Sequence, residues 1–211
     1  MKKEKSISFF SKKKEETLEI KVILLGNPGV GKTNIINRYL YDKFEKSSKP
    51  TLGSSFGEKT LKKDGYSYSL KIWDTTGQER YNSITKLFIR GSHIVILVYS
   101  IDNLASFDSL NNWYNYVKEE LQRERFILAV VGNKRDLFES EVVSEDEGKE
   151  FAKSLDAFFY LISAKSDEQG IEKLFSSLLD ELILKYGNKA LNETSIRLDD
   201  DENSNKKKKC C

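Results

Sequence analysis

The chain has 211 residues, which is long enough to bury a sizeable core. Hydrophobic residues make up 38% of it, and this content excludes a wholly disordered protein. Six lysines against one glutamate give residues 1–14 a charge of +5, and six basic against five acidic residues give residues 188–211 a charge of +1. With a net charge of +2 overall, the body between them carries −4. An acidic body does not provide the basic stripe of a nucleic-acid-binding protein, whereas basic ends suit an anionic membrane surface.

Targeting and redox signals are sparse. No segment reaches the length of about 18 apolar residues that a transmembrane helix needs, and the apolar stretch at residues 7–10 is too short for a signal peptide. Cys210 and Cys211 are the only cysteines, and they are adjacent at the end of the chain. Two such cysteines cannot form a disulfide that cross-links the core, and they are too few for a structural zinc site, so we expect a cytosolic protein with free terminal thiols.

The predicted elements alternate along the chain. A buried strand over residues 19–25 is followed by a Gly-rich turn and a helix over residues 33–40. Asp64-Gly65 predicts a tight hairpin between strands at residues 60–63 and 66–73. Further strands are predicted at residues 93–99, 126–131 and 157–162, with helices over 107–121, 144–155 and 171–183. This order predicts an α/β fold with a six-stranded, mostly parallel sheet, one antiparallel strand and about five helices on both faces.

Residues 26–33 read Gly-Asn-Pro-Gly-Val-Gly-Lys-Thr and lie between the first predicted strand and its helix. This context is typical of a phosphate-binding loop, in which glycines let backbone N–H groups converge on phosphate oxygens at a helix N-terminus. Lys32 adds a positive charge and the Thr33 hydroxyl is a ligand for Mg²⁺. The predicted phosphate-binding residues are Gly26, Gly29, Val30, Gly31, Lys32, Thr33 and Asn34. The loop predicts nucleotide binding without naming the base.

The base is indicated by Asn133-Lys134-Arg135-Asp136, which follows a predicted strand and therefore lies at the same sheet edge as the phosphate loop. The carboxylate of Asp136 can accept hydrogen bonds from the ring N–H and the 2-amino group of guanine, and adenine offers no such donor pair. Ser163, Ala164 and Lys165 end the next predicted strand at the adjacent position. These residues predict a guanine site.

Taken together, these motifs resemble those of Ras-superfamily small GTPases, and among them of Rab proteins, across about residues 18–187. The resemblance implies the P-loop GTPase fold, GTP or GDP with Mg²⁺ as bound cofactors, and two switch segments. Thr51, 19 residues after Lys32, matches the switch I threonine that ligates Mg²⁺ in the triphosphate state. Phe44 matches the aromatic residue that packs on guanine.

The resemblance also covers residues 73–80, Trp-Asp-Thr-Thr-Gly-Gln-Glu-Arg, which correspond to switch II. It implies that Asp74 binds Mg²⁺ through a water molecule and that the Gly77 N–H meets the γ-phosphate. Gln78 would orient the attacking water, while Lys32 stabilises charge on the phosphates. Hydrolysis by such a site is slow, so the implied protein is a switch whose two segments respond to the γ-phosphate.

Several features favour a Rab protein over the Rho, Arf and Ras-type proteins of the same superfamily. The stretch of residues 136–144 is too short for a Rho insertion, Lys2 replaces the glycine of Arf proteins, and Lys208 stands where a Ras-type CaaX signal has its cysteine. The Lys-Cys-Cys end implies geranylgeranyl lipids on Cys210 and Cys211. Phe56, Trp73 and Phe88 fall where Rab proteins place three switch aromatics for partner binding, and a plain core position is the alternative for each.

The resemblance carries further expectations. It implies a monomer on the cytoplasmic face of an endomembrane or the plasma membrane, cycling with the cytosol. Its partners would be an exchange factor, a GTPase-activating protein, an escort protein or dissociation inhibitor, and effectors, with no nucleic acid. Residues 1–17 would be a flexible basic extension, residues 18–187 the GTP-binding domain, and residues 188–211 a flexible tail that ends in the prenylation signal.

Four departures from the Rab pattern leave alternatives open. Residues 52–56 lack the usual acid before phenylalanine, Thr76 replaces an alanine, Pro28 occupies a loop position that is normally small, and the Lys-rich extension has no counterpart. Pro28 and Thr76 leave room for a pseudo-GTPase, a scaffold that holds GTP with little hydrolysis. A P-loop nucleotide kinase is the other alternative, disfavoured by residues 133–136 and by the lack of an obvious lid segment.

Overall fold

The architecture is a six-stranded sheet with helices against it, seen in a computed structural model that describes residues 17–46, 55–75, 82–122 and 125–207. The strands are β1 (Thr17–Leu25), β2 (Ser55–Lys63), β3 (Tyr66–Asp74), β4 (Ile94–Ser100), β5 (Ile127–Asn133) and β6 (Phe158–Leu161). The helices in the described ranges are α1 (Lys32–Tyr41), α2 (Asn82–Ile89), α3 (Leu104–Asp108), α4 (Leu110–Glu120), α5 (Glu145–Ser154) and α6 (Glu168–Lys207), with a 3-10 turn at Arg135–Ser140.

The sheet order is β2-β3-β1-β4-β5-β6. Strands β3, β1, β4, β5 and β6 run parallel, and only the β2–β3 pair is antiparallel within the described residues. Asp64 and Gly65 join that pair with φ values of 50° and 80°, the positive angles that a two-residue hairpin turn of this kind requires. The predicted fold class is therefore confirmed, including its single antiparallel strand.

Two apolar clusters, one on each face, hold the helices to the sheet. On one face, α1 and α6 cover β1 and β3 through residues such as Ile35 and Leu174, which are fully buried. On the other, α4 and α5 pack on β4 and β5 through Trp113 and Ala152. All seven residues of β4 and all seven residues of β5 are buried, because both faces of the sheet are covered at these strands. The continuous hydrophobic runs in the two strands are typical of such burial.

The structure has six α-helices in its described ranges where about five were predicted. The predicted helix over residues 107–121 is carried by two helices, α3 and α4, that meet at Ser109. Ser109 keeps helical backbone angles, and the carbonyl of Ala105 accepts both from its backbone N–H at 3.2 Å and from its hydroxyl at 2.7 Å, so the chain departs little from a helix at this junction. The buried positions of α4 are Leu110, Trp113 and Val117.

Helix α5 begins as its sequence predicts. Ser144 is the N-cap: its hydroxyl accepts from the backbone N–H of Glu147, and the Glu147 carboxylate accepts from the backbone N–H of Ser144 at 2.8 Å. This reciprocal pair is the capping box expected from the spacing of the two residues. By contrast, β2 begins at Ser55, five residues before the predicted start, because this polar edge strand shows little hydrophobic alternation.

Helix α6 extends well beyond the predicted residue 183 and contains a non-helical residue, Gly187, at φ 71° and ψ 155°. Past this point, Asn188 accepts a hydrogen bond from the Tyr68 hydroxyl at 3.0 Å, and Leu191 is 1% exposed in the same apolar cluster as α1. The division of the chain at residues 17 and 187 remains a prediction. Among the described residues, no helix combines the length and the apolar character needed to cross a bilayer.

Candidate nucleotide-binding site

The loop between β1 and α1 is shaped by glycines in left-handed or related conformations. Gly26 has φ 144° and Gly31, the N-cap of α1, has φ 97°. A methyl group at Gly31 would overlap the side-chain nitrogen of Asn133, and one at Gly26 would overlap the carbonyl of Val98. Only glycine fits these two positions, so the predicted turn lies at the carboxyl end of β1 and opens α1.

Lys32 lies inside this loop. Its ammonium donates to the carbonyls of Gly26 at 2.7 Å and Asn27 at 3.0 Å, which leaves one of its three donors for a further acceptor. Burial lowers the pKa of Lys32 to about 8, although the Asp74 carboxylate raises it in part. A phosphate group beside this ammonium would favour the charged form, so the residue is suited to binding an anion.

Oxygen groups suited to Mg²⁺ lie next to this lysine. The Thr33 hydroxyl donates to the Asp74 carboxylate at 2.7 Å, which joins the first turn of α1 to the end of β3. Asp74 is 1% exposed. A hydroxyl and a carboxylate oxygen at this spacing are ligands of the type that Mg²⁺ prefers, so the donor set fits the implied metal.

Asn133 connects the phosphate loop with the neighbouring strand end. Its side-chain nitrogen donates to the carbonyl of Val30 at 2.8 Å, and its side-chain oxygen accepts from the backbone N–H of Ala164 at 3.1 Å. Both bonds are buried. Asn133 therefore holds the phosphate loop and the segment of Ser163, Ala164 and Lys165 in one fixed arrangement.

The Asp136 carboxylate is held from two sides. It accepts from the Ser163 hydroxyl at 2.6 Å, and the Lys165 ammonium lies 3.3 Å from its other oxygen. Burial by itself raises the pKa of Asp136, but the hydrogen bonds from Ser163 and Lys165 outweigh burial, and the pKa is lowered. The side chain is 16% exposed, so this ionised carboxylate is oriented by its partners and still reaches the surface.

Three further predicted residues lie around the same edge. Lys134 has φ 65°, and its ammonium is 3.7 Å from the Asp102 carboxylate. Asn34, in α1, exchanges two hydrogen bonds with the backbone of Glu45, at 3.0 and 3.1 Å. These bonds fix the segment that carries Phe44, which is half-buried and packs against the apolar cluster of α1 and α6.

The three aromatics predicted from the Rab pattern form one surface-reaching group. The rings of Phe56 and Trp73 are 5.5 Å apart, and those of Trp73 and Phe88 are 5.2 Å apart. Phe56 remains 49% exposed. The group thus joins β2, β3 and α2.

Several predicted residues cannot be placed in this geometry. Thr51, Gly77, Gln78, Cys210 and Cys211 lie outside the described residues, as does Thr76. Their assignments remain predictions that depend on the resemblance.

Two side chains with a structural part in the site were not predicted. Asn27 donates to the Ser109 hydroxyl at 3.0 Å and accepts from the Trp113 indole at 2.9 Å, which anchors the phosphate loop to α4. Arg38 donates to the carbonyl of Ala164, a residue 126 positions later in the chain. Asn27 at least lies within the loop motif, whereas nothing in the sequence connects Arg38 with its partner.

The fold and the placement of this loop define the class of protein: an α/β nucleotide-binding protein of the P-loop type. Comparison with known proteins specifies the family. The model of the Ras family matches residues 21–184. The chain belongs to the Ras family, whose members are small GTPases, and it is an enzyme of that kind.

Individual relatives agree on the Rab branch. The Ras-related protein RabC of Dictyostelium discoideum is 35% identical over 199 residues, which cover 93% of this chain and 100% of the relative. Rab-21 of Geodia cydonium is 39% identical over 173 residues, 82% of this chain and 75% of the relative. Rab-31 of Homo sapiens is 39% identical over 160 residues, 76% of this chain and 81% of the relative. The resemblance to Rab proteins seen in the motifs is confirmed.

Proposed function

We propose that this protein is a Rab-like switch in vesicle trafficking that binds GTP or GDP with Mg²⁺ and hydrolyses GTP slowly. One observation carries the proposal: Asn133 bonds to both the phosphate loop and the segment that supports Asp136. A phosphate cradle and a guanine-selective carboxylate therefore share one rigid sheet edge. A single nucleotide spanning this edge would engage both.

Phosphate binding is assigned to the loop of Gly26, Gly29, Val30 and Gly31 together with Lys32, Thr33 and Asn34. Backbone N–H groups at the start of α1 and the Lys32 ammonium provide fixed positive charge. Thr33 and Thr51 would hold Mg²⁺ directly, and Asp74 through a water molecule. When bound, the metal adds positive charge where negative charge develops on the transferred phosphoryl group.

Guanine selectivity is assigned to Asp136. Its carboxylate is ionised and oriented by Ser163 and Lys165, so it presents acceptors only, which match the two donors on one edge of guanine. Asn133, Lys134 and Ala164 complete the base-binding edge, and Phe44 packs on the ring. The pairing of an ionised acceptor with two N–H donors is stronger than a neutral contact.

Hydrolysis is assigned to water oriented by Gln78, with Lys32 stabilising charge on the phosphates. Because no covalent intermediate is needed, the rate depends on positioning and electrostatics. Contacts of Thr51 and Gly77 with the γ-phosphate would order switch I and switch II, and their loss would release both. The aromatic group of Phe56, Trp73 and Phe88 would then offer effectors a surface that depends on the nucleotide.

Membrane attachment is assigned to geranylgeranyl lipids on Cys210 and Cys211. Two lipid chains give stable anchoring where one gives only marginal binding, and the terminal lysines add attraction to anionic lipid. The proposed protein is a monomer that cycles between cytosol and a cytoplasmic membrane face. It would use an exchange factor, a GTPase-activating protein, an escort protein or dissociation inhibitor, and effectors.

A pseudo-GTPase is the second candidate, and Pro28 favours it. This residue is exposed in the phosphate loop and has no N–H to offer a phosphate. Such a protein would hold GTP as a scaffold and hydrolyse it little.

Single-turnover hydrolysis of bound GTP separates the two candidates. The proposed function predicts slow but measurable conversion to GDP in the wild type and its abolition in Gln78→Leu. Gln169→Leu, an exposed glutamine in α6, is the matched control and should behave as wild type. Bound GTP that stays intact in the wild type supports the scaffold, and failure to bind GTP at all contradicts both.

A further inference from the structure

Arg38 stands at the far end of the helix that begins with the phosphate-binding lysine. Its side chain is 11% exposed and contacts three parts of the molecule. The Nε group donates to the carbonyl of Ala164 at 3.1 Å, and Nη2 donates to the carbonyl of Lys165 at 3.3 Å. The third nitrogen, Nη1, binds the carboxylates of Asp42 at 2.8 Å and Glu168 at 3.1 Å.

The segment that Arg38 grips is the one that orients Asp136. Ser163 donates its hydroxyl proton to one Asp136 oxygen at 2.6 Å, and the Lys165 ammonium lies 3.3 Å from the other. Within this segment Arg38 contacts the backbone carbonyls of Ala164 and Lys165, and its described contacts do not include Asp136 itself. Any shift of the two carbonyls would move both supports of the carboxylate together.

We propose that Arg38 is a positioning residue for guanine recognition: its guanidinium fixes the segment of Ser163, Ala164 and Lys165 against α1. This inference rests on the proposed function, in which Asp136 selects guanine. Helix α1 starts at the phosphate loop and carries Arg38 in its last turn, so the contact sets the distance between the phosphate cradle and the base-selective carboxylate. A planar fork of donors can hold two successive carbonyls at once, which a lysine ammonium cannot do with the same geometry.

A purely structural role of Arg38 at the end of α1 can be tested separately from positioning, because the two roles use different nitrogens of the guanidinium. The Nη1 group serves Asp42 and Glu168, whereas Nε and Nη2 serve the base-side segment. Asp42→Asn weakens the ion pair between Arg38 and residue 42, and it leaves the contacts of Arg38 with the carbonyls of Ala164 and Lys165 in place. Asn also tolerates the left-handed conformation of residue 42, at φ 52°. This variant is therefore the matched control.

The test compares GDP with inosine diphosphate, which lacks the 2-amino group. The ratio of their affinities reports how well Asp136 reaches guanine, independently of the phosphates. Dissociation rates and affinities of both nucleotides are measured for the full chain with Mg²⁺, in the wild type, Arg38→Lys, Arg38→Met and Asp42→Asn. Single-turnover hydrolysis of bound GTP is measured in the same proteins.

The proposal predicts that both Arg38 variants release GDP about tenfold faster, as expected for the loss of about one well-formed hydrogen bond. Their preference for GDP over inosine diphosphate should fall at least about fivefold, while hydrolysis of GTP that remains bound changes less than about twofold. Asp42→Asn should match the wild type within about twofold in every measurement.

Equal acceleration for both nucleotides, with an unchanged preference for GDP, would overturn the proposal and reduce Arg38 to a structural contact. If Arg38→Met does not fold, Arg38→Lys decides alone, because it retains the charge beside Asp42 and Glu168. A wild type that binds GDP with a clear preference over inosine diphosphate keeps the proposed function intact even when the variants behave as wild type. A wild type without that preference contradicts the guanine assignment itself.

Discussion

His93, the only histidine in the chain, should remain neutral at a pH where a free histidine is protonated. It precedes β4 and is 3% exposed. Its Nδ1 accepts from the backbone N–H of Lys21 at 3.0 Å, and Nε2 has no hydrogen-bond partner among the described residues. Burial, reinforced by the positive charge of Lys21, lowers the pKa of His93 to about 4.

Because the pKa of His93 is lowered in the folded state, the free energy of unfolding must fall as the pH falls. Since the folded state favours the neutral ring, the stabilisation is fully present above the unfolded pKa of about 6.5 and is lost as the pH falls through about 4. Between pH 7 and pH 5, linkage gives a loss of about 2 kcal/mol in the free energy of unfolding. Protonation at Nδ1 would also remove the acceptor of the Lys21 N–H.

Two assays check this prediction on the GDP-loaded protein. A proton NMR titration should show the single histidine Hε1 resonance unchanged between pH 7 and pH 5.5. Urea unfolding at pH 7 and pH 5 should show a loss that is about 2 kcal/mol smaller in His93→Asn, whose side-chain oxygen can replace Nδ1 as acceptor. A resonance that titrates near pH 6.5, or equal losses in both proteins, would refute the reasoning.

Three other changes have defined outcomes. Leu191→Ala should lower the free energy of unfolding by about 2–4 kcal/mol in urea titrations, because Leu191 is 1% exposed in the core. A loss below about 0.5 kcal/mol would show that the segment around Leu191 does not pack against the core. Pro28→Gly should change intrinsic hydrolysis less than about tenfold and raise the activator-stimulated rate; a hundredfold jump in the intrinsic rate would show that the proline disables the site. Replacing Cys210 and Cys211 by serine should move the protein from the membrane pellet to the supernatant on cell fractionation, and a double variant that still pellets would have another anchor.

The fold could be predicted where local patterns carry the information. The runs in β4 and β5 are buried from end to end, the Asp64-Gly65 turn closes its hairpin, and Ser144 caps α5 as its spacing indicates. The start of β2 was wrong by five residues because a polar edge strand lacks periodicity. The interruption at Ser109 leaves the apolar spacing of residues 107–121 unbroken, so a periodic pattern could not indicate it.

The candidate site divides in the same way. The shared position of Lys32, Thr33, Asn133 and Asp136 could be predicted, because each ends or follows a parallel strand and the carboxyl ends of these strands share one edge. The contacts that set their relative positions could not. Arg38 and its carbonyl partners are separated by more than a hundred residues, and their encounter depends on how α1 and α6 pack.

The central claim is that a guanine nucleotide is recognised by the Asp136 carboxylate at this sheet edge. The most direct test is a competition between GDP and xanthosine diphosphate for the wild type and Asp136→Asn. Xanthine carries a carbonyl in place of the 2-amino group, so it presents an acceptor where guanine presents a donor, and an asparagine amide can donate to it. We predict that the wild type prefers GDP and that Asp136→Asn loses GDP affinity severely and prefers xanthosine diphosphate. Unchanged GDP affinity in the variant would contradict the assignment.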